Sequence, residues 1–477
     1  MSTFFKDRTA HARPLRSGVL LAVAAVVGGC ASFSPDGGFG SVQQTAKDRL
    51  GKVLVLAKSD ADQDAIARRV DELMAKPLMV DDAVQIALLN NRGLQATYQE
   101  LGITEAEVVQ AGRLPNPGFS FGRRSRGDER EIERALHFNL ARLLAMPLIN
   151  QVEARRFEQT QGMVAMSVLS IAADTRKAYY RAVGAEEGVR YMRQVKQAAE
   201  ASAELARRMA AVGNFNKLQQ AREQGFYADA ALNLARAQQA QTATRERLTR
   251  LLGLWGAQTQ FSLPNRLPDL PKAALDQPDI ERVAMAQRLD LQGARLAAEQ
   301  TAKNLGLTKV TRFVNVLEVA SVRNSSNEVP TQSGWEIGIE LPLFDWSGAR
   351  VARAEAVYMQ ALHRTAETAI NARSEVREAY GNYRSAYDIA RHHRDEIVPL
   401  RQRIAEENVL RYNGMLIGVF ELLADARVQI ASVNSAIESL RDFWIAQADL
   451  DMALIGKPSL AAMAGPMAAT EAGGPAH

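Results

Sequence analysis

Trp335-Glu-Ile-Gly-Ile-Glu-Leu341 alternates without a break. In an extended chain Trp335, Ile337, Ile339 and Leu341 fall on one side, and Glu336, Gly338 and Glu340 on the other. Three further segments show the same two-residue period. Leu136, Phe138 and Leu140 alternate with His137 and Asn139, and Phe119 and Phe121 with Ser120 and Gly122. Phe313, Asn315, Leu317, Val319 and Ser321 share a face, with Val314 and Val316 opposite. Apolar residues on one face and charged or small ones on the other suit a transmembrane strand around a wet lumen. An antiparallel sheet with one solvated face has the same pattern, so context must decide between them.

The context is helical and very long. Residues 150–212 and 345–412 each read as one helix of more than 60 residues, roughly 95 Å at 1.5 Å per residue and far beyond a globular helix. Val164, Val168, Ile171, Thr175, Ala178 and Ala182 are spaced by fours and threes. So are Ala369, Ala372, Val376, Ala379 and Tyr383, and, in the last helix, Ala426, Ile430, Val433, Ile437, Leu440 and Trp444. That spacing is a coiled-coil seam, and its small residues let helices approach closely. Four strands cannot close a barrel, and an open sheet edge is not tolerated in lipid. A membrane reading therefore needs several chains to share one barrel, and three would supply twelve strands.

The chain also repeats itself. Asn91-Arg-Gly-Leu-Gln-Ala96 matches Arg288-Leu-Asp-Leu-Gln-Gly293 at an offset of 197. Thr175-Arg-Lys-Ala-Tyr-Tyr180 matches Val376-Arg-Glu-Ala-Tyr-Gly381 at 201, and Gly213 matches Gly414 at 201 again. Each half reads as helix, strand, strand, very long helix, turn, helix. Pro264, Pro268 and Pro271 mark an extended linker between the halves. The expected organisation is a signal segment at 1–29, a loosely packed lead-in at 30–61, a first repeat at 62–262, the linker at 263–278, a second repeat at 279–456 and a disordered tail at 457–477. The fold class is mainly α with a small β part.

Composition narrows the function. The chain has 477 residues, 47% hydrophobic and 23% charged, with 58 Lys+Arg against 54 Asp+Glu. Its mean hydropathy is −0.19 and its pI about 9.1, but the charges are interspersed, so nucleic acid has no basic patch to bind. Lys6, Arg8, Arg13 and Arg16 precede the apolar run Val19–Val27, whose nine residues are too few to span a bilayer. The run ends Val27-Gly-Gly-Cys30 at the single cysteine, which resembles a bacterial lipoprotein signal. Cys30 would be lipidated, palmitate included, and become the mature first residue. Ala31 and Ser32 follow without an inner-membrane retention Asp, so the outer membrane is the expected address. Beyond Cys30 no stretch of 18 apolar residues offers a membrane-spanning helix.

From about Val80 to Gly456 the sequence resembles the outer-membrane factor family, the TolC-type channels of tripartite efflux pumps. The residues that carry this are Asp82-Ala-Val-Gln-Ile-Ala-Leu-Leu-Asn-Asn91, Leu114-Pro-Asn-Pro117, Gly338-Ile-Glu-Leu-Pro-Leu-Phe-Asp-Trp-Ser-Gly348, Arg411-Tyr-Asn-Gly414 and Leu422-Leu-Ala-Asp-Ala426. The resemblance implies a homotrimer with a 12-stranded β-barrel in the outer membrane and a helical barrel in the periplasm. It implies two partners besides membrane lipid: a periplasmic adaptor (membrane fusion) protein and an inner-membrane pump. It also implies a passive duct for small molecules or metal ions, with no cofactor and no catalysis. The helix–turn–helix tips that would meet the adaptor are Gly213, Asn214 and Phe215, and Gly414, Met415 and Leu416. Both turn glycines suit a positive φ. The gate acids near the second tip would be Glu421 and Asp425, i and i+4 on one helix face. The family places such acids three apart; here they are four apart, with one extra residue after the turn. At the first tip Gln219 and Gln220 stand where an acid is expected.

Enzyme chemistry finds no foothold. The six histidines, at 11, 137, 363, 392, 393 and 477, form no H-x-x-x-H or H-E-x-x-H pattern, and no metal site is expected. No GxGxxG, P-loop or G-x-S-x-G motif occurs. A structural coiled-coil lipoprotein would explain helices and anchor but not the duplicated strand pairs. The outer-membrane duct of a type I protein secretion system is a further alternative.

Overall fold

The computed structural model describes residues 32–311, 316–339, 344 and 346–458. The signal segment, Cys30 and nearly all of the tail lie outside the described residues, as do Phe313, Asn315, Glu340 and Leu341 of the expected strands. The chain divides into two compact units.

The first unit comprises residues 32–40, 100–161 and 294–365. It holds β1 (Gly118–Arg126), β2 (Glu129–Asn139), β3 (Leu317–Ser326) and β4 (Gln332–Ile339). They form one antiparallel sheet in the order β1-β2-β3-β4. Gly127, at φ 62°, opens the two-residue turn that joins β1 to β2, a place where hairpin geometry favours glycine. Asn327 ties the two hairpins together at that end. Its side chain accepts from the Arg130 amide at 2.7 Å and donates to the Asp128 carbonyl at 2.8 Å.

The second unit comprises residues 41–99, 162–293 and 366–458, and it holds two helical hairpins. The first is made by α5 (Leu140–Ala211), of which residues 162–211 belong to this unit, and α6 (Lys217–Leu252). The expected helix at 150–212 thus starts ten residues earlier, and Pro147 is accommodated two turns inside its N-terminus. The expected helix at 345–412 is continuous over 348–413 but is not α throughout. It runs as α9 (Gly348–His392), of which residues 366–392 belong to this unit, a π-helical turn (His393–Ile397) and α10 (Val398–Asn413), with Pro399 in the first turn of α10. α11 (Val419–Ile455) completes the second hairpin.

The π turn has a cause in the duplication. Below it, the buried pairs Thr175/Val376, Ala178/Ala379, Ala182/Tyr383 and Val189/Ala390 keep the 201-residue offset. Above it, Ala206/Asn408, Ala230/Ser432 and Leu248/Leu450 are buried together at an offset of 202. The second repeat carries one extra residue, and a π turn is what one residue inserted into an α-helix produces. The same residue moves the turn. Gly213 does take φ 81°, but Gly414 sits at φ −81°, and the left-handed position belongs to Met415 at φ 58°. The expectation of two equivalent turn glycines is corrected: the partner of Gly213 is Met415.

Duplication also explains the helix ends. α3 (Val80–Asn90) stops at Asn91 with φ/ψ −67°/112°, and α7 (Ile280–Gln287) at Arg288 with −67°/122°. Asn91 Nδ2 donates to the Leu251 carbonyl at the end of α6, and Arg288 Nη1 to the Ala453 carbonyl at the end of α11. Both side chains satisfy carbonyls that a helix terminus leaves open. Arg288 is buried, and its charge is met by Asp290 and Glu375, each at 2.6 Å. Of the expected seams, that of α5 is buried except at Ile171 and that of α9 except at Ala369, whereas Ala426, Ile430, Val433, Ile437, Leu440 and Trp444 of α11 are only half-buried. Tyr180 stacks on Trp444, and Phe443 packs against Tyr383 and Tyr387. The Pro-rich linker is extended and anchored: Trp444 Nε1 donates to the Pro268 carbonyl at 3.0 Å, and the Tyr387 hydroxyl to that of Pro271 at 3.2 Å. The lead-in is better packed than composition suggests, for Val42, Ala46 and Leu54 are buried.

Candidate functional site

Two surfaces carry the candidate residues, and each lies within one unit. In the sheet, register sorts every side chain. One face carries, from the helix-proximal end to the turn end, the rows Leu317/Ile339, Phe138/Val319/Ile337 and Phe119/Leu136/Ser321/Trp335. Then come Phe121/Arg134/Arg323/Ser333 and Arg123/Ile132/Ser325. Phe119, Phe121, Leu136, Phe138, Trp335, Ile337 and Ile339 are all exposed, Trp335 at 73%. The opposite face holds Asn139/Glu318/Gly338, Gly118/His137/Ala320/Glu336, Ser120/Ala135/Val322/Gly334 and Gly122/Glu133/Asn324/Gln332, then Arg124/Glu131/Ser326 and Arg126/Glu129. So the alternation read from sequence becomes a sheet with a bare apolar side and a polar side. Among the described residues the polar side carries five glutamates against two arginines. Its edge strands β1 and β4 each have one neighbour. A contiguous apolar face with open backbone edges is unfavourable in water and, as a lone sheet, in lipid.

The second surface is the pair of hairpin ends. At the first, Gly213 N–H donates to the Ala210 carbonyl and Asn214 N–H to that of Met209, a left-handed C-terminal cap. Asn216 then starts α6, with a reciprocal side-chain cap to Gln219. At the second, Met415 N–H donates to Tyr412 and Leu416 N–H to Arg411, and Gly418 precedes α11. Asn214, Met415 and Leu416 are exposed, whereas Phe215 is buried. Gly213 has open space around its Cα.

Glu421 is exposed in the first turn of α11. Asp425 is half-buried and accepts a hydrogen bond from Asn408 Nδ2 of α10. With the 202 offset, the first-hairpin counterpart of Asp425 is Glu223. Sequence reasoning missed it because the 201-residue offset of the two glycines aligns Asp425 with Gln224, and the shift that brings in Glu223 shows only in the buried pairs across the π turn. Glu223 is buried, accepts from Ser202 Oγ of α5 at 2.8 Å, and pairs with Arg427 Nη2 of α11 at 2.9 Å. The Arg427 guanidinium also lies 4.3 Å from the ring centre of Phe226. This ion pair joins the two hairpins beside Val195, Ala199, Ala230 and Ile430, while Lys177–Asp449 and Arg176–Asp451 join α5 to α11 further from the turns. Among the described residues no three His, Cys, Asp or Glu side chains converge as a metal site would require. No described helix is long and apolar enough to cross a membrane.

No known family profile matches the chain. The cobalt-zinc-cadmium resistance protein CzcC of Cupriavidus metallidurans is 22% identical over 281 residues, 57% of this chain. The chain spans 64% of that relative's length. Crystal structures of CusC, described as forming a transmembrane channel, match with a TM-score of 0.66 at 17% identity, over 79% of this chain and 92% of theirs. The Campylobacter jejuni CmeC outer-membrane channel matches with a TM-score of 0.68 at 16% identity, over 79% and 85%. The fold that the resemblance implied is therefore the one observed: the chain has the fold of TolC-type outer-membrane channels.

Proposed function

We infer that this chain, with the fold of the outer-membrane factor channels, is the outer-membrane duct of a tripartite efflux system. Three copies close a 12-stranded barrel with the Trp335–Ile339 face in lipid and the glutamate face around water. The observation that carries this is the exposed apolar face of a four-stranded sheet with both edges open. Closure by copies of itself satisfies every edge and buries the apolar side in lipid. A coiled-coil spacer would have no use for such a sheet.

The protein does no chemistry. It supplies a wet path, and the inner-membrane pump supplies the work. Cys30 carries the lipid anchor. The tips at Gly213–Phe215 and Gly414–Leu416 dock the periplasmic adaptor, and Glu421 and Asp425 line the gate. The excess of glutamates on the lumen face favours cations, and divalent metal ions are the first cargo to test, in keeping with the metal resistance in the name of CzcC.

The decisive experiment combines assembly and insertion. Purified protein in detergent should run as a trimer by native mass spectrometry. Ile337→Arg with Ile339→Arg should abolish insertion, at about 2–4 kcal/mol per midplane site, while Glu336→Gln should not. A stable folded monomer, or normal insertion of the double arginine variant, refutes the barrel.

A further inference from the structure

On the sheet, charge sign separates by face. Among the described residues the apolar side carries Arg123, Arg130, Arg134 and Arg323 and not one carboxylate. All four arginines are exposed, and among the described residues none has an ion-pair partner; the neighbouring Arg124, on the other face, pairs with Glu133. Arg134 and Arg323 stand directly opposite each other across β2 and β3. Like charges in that position destabilise a sheet unless an anion lies between them. Arg123 is one row further on, diagonal to Arg134, about 7–8 Å away. Ser325 and Ser333, which pair with Ile132 and Arg323, add hydroxyls to the same patch. The cluster is not scattered along the strands. It begins one row beyond Trp335 and Phe119, where Phe121 and then Ile132 are the last apolar residues of the band, on the turn side of the sheet.

We propose that Arg123, Arg134 and Arg323, with Arg130 beyond them, bind the phosphate groups of the anionic glycolipid of the outer leaflet, lipid A. The proposal rests on the barrel reading above, which puts this face in lipid. At the rim of an apolar band, just past an aromatic row, a side chain meets headgroups. Guanidinium groups there match phosphate oxygens in paired, charge-assisted hydrogen bonds. Bound phosphate would offset the repulsion between Arg134 and Arg323, so lipid and sheet would stabilise each other.

The test uses the full-length trimer in nanodiscs of phosphatidylcholine doped with bis-phosphorylated lipid A, with retained lipid counted by native mass spectrometry. The wild type should retain lipid A over phosphatidylcholine, and raised salt should weaken it. At about fivefold for each arginine near the surface, Arg134→Gln with Arg323→Gln should lower retention at least tenfold in a trimer that still inserts. Dephosphorylated lipid A should lose the preference, and inorganic phosphate should not compete at millimolar concentration. An inserted trimer that ignores lipid A, binds phosphatidylglycerol equally well, or retains lipid A undiminished in the double variant overturns the patch and leaves the barrel standing. A chain that never inserts as a trimer removes the barrel, and the patch with it.

Discussion

Arg427→Ala should loosen the junction between the two hairpins. The Glu223 side chain is 2% exposed and that of Arg427 36%. Removing the guanidinium leaves a buried carboxylate with Ser202 as its remaining partner. Stranding one member of a fully buried pair costs about 3–5 kcal/mol. Arg427 is partly solvated, so about 2–3 kcal/mol is the better expectation, part of it from the lost contact with Phe226. Glu223→Gln in the Arg427→Ala background removes the stranded charge and should recover more than half of the loss. The loss is local, so the assay is native-state hydrogen exchange of the α5, α6 and α11 amides flanking residues 202, 223 and 427. Their opening free energy should fall by that amount, while amides around Leu248 and Leu450, both fully buried, keep theirs. In planar bilayers the same variant should conduct more than the wild type, because the hairpin ends are freed to move apart. Unchanged protection together with unchanged conductance would refute the claim that this ion pair holds the hairpins.

The remaining predictions concern anchor, turn and gate. Cys30→Ala should abolish acylation as read by mass spectrometry of the mature chain, while trimers still insert through the sheet. Met415→Gly should stabilise the second turn by up to about 1 kcal/mol, since a left-handed residue with a Cβ costs about 1–2 kcal/mol and glycine returns part of that in entropy. Conversely, Met415→Val should be the damaging substitution and Gly414→Val mild, because Gly414 has an ordinary φ and an added Cβ would meet nothing closer than 3.5 Å; hydrogen exchange at the tip ranks them. Glu421→Gln with Asp425→Asn should lower cation selectivity in planar bilayers, and unchanged selectivity would take both acids out of the gate.

How much of the fold could be read beforehand depended on period. Strand alternation and seam spacing come from local geometry, so Trp335, Ile337 and Ile339 could be put on one face, and Val164, Val168 and Thr175 on one seam, before any contact was known. The lead-in was not legible in this way. Apart from Val53–Ala57 its hydrophobic residues are scattered without a period, and what orders them is distant chain: Leu50 packs with Leu169 and Met452, which no local pattern announces.

The functional residues divide along the same line. Turn positions were located to within one residue, and that residue matters. An offset measured from the two glycines alone gives 201, which hides the insertion and pairs Gly213 with a glycine that has no need to be one. Glycine is evidence for a positive φ only where the backbone demands it, and here the demand falls on Met415. The π turn at His393–Ile397 carries no composition of its own; only a count of buried partners on both sides of it exposes the shift from 201 to 202. That one-residue shift is also what aligns Glu223 with Asp425. It places an acid ten residues beyond the left-handed turn position in each hairpin. Both acids are held by side chains, one by Ser202 and Arg427, the other by Asn408. The two hairpins therefore present the same group at the same level with different partners. In the first the acid is bound across to the neighbouring hairpin, and in the second only within its own. Opening that separates the hairpins must break the Glu223–Arg427 pair, whereas the Asp425–Asn408 bond can move with its hairpin intact.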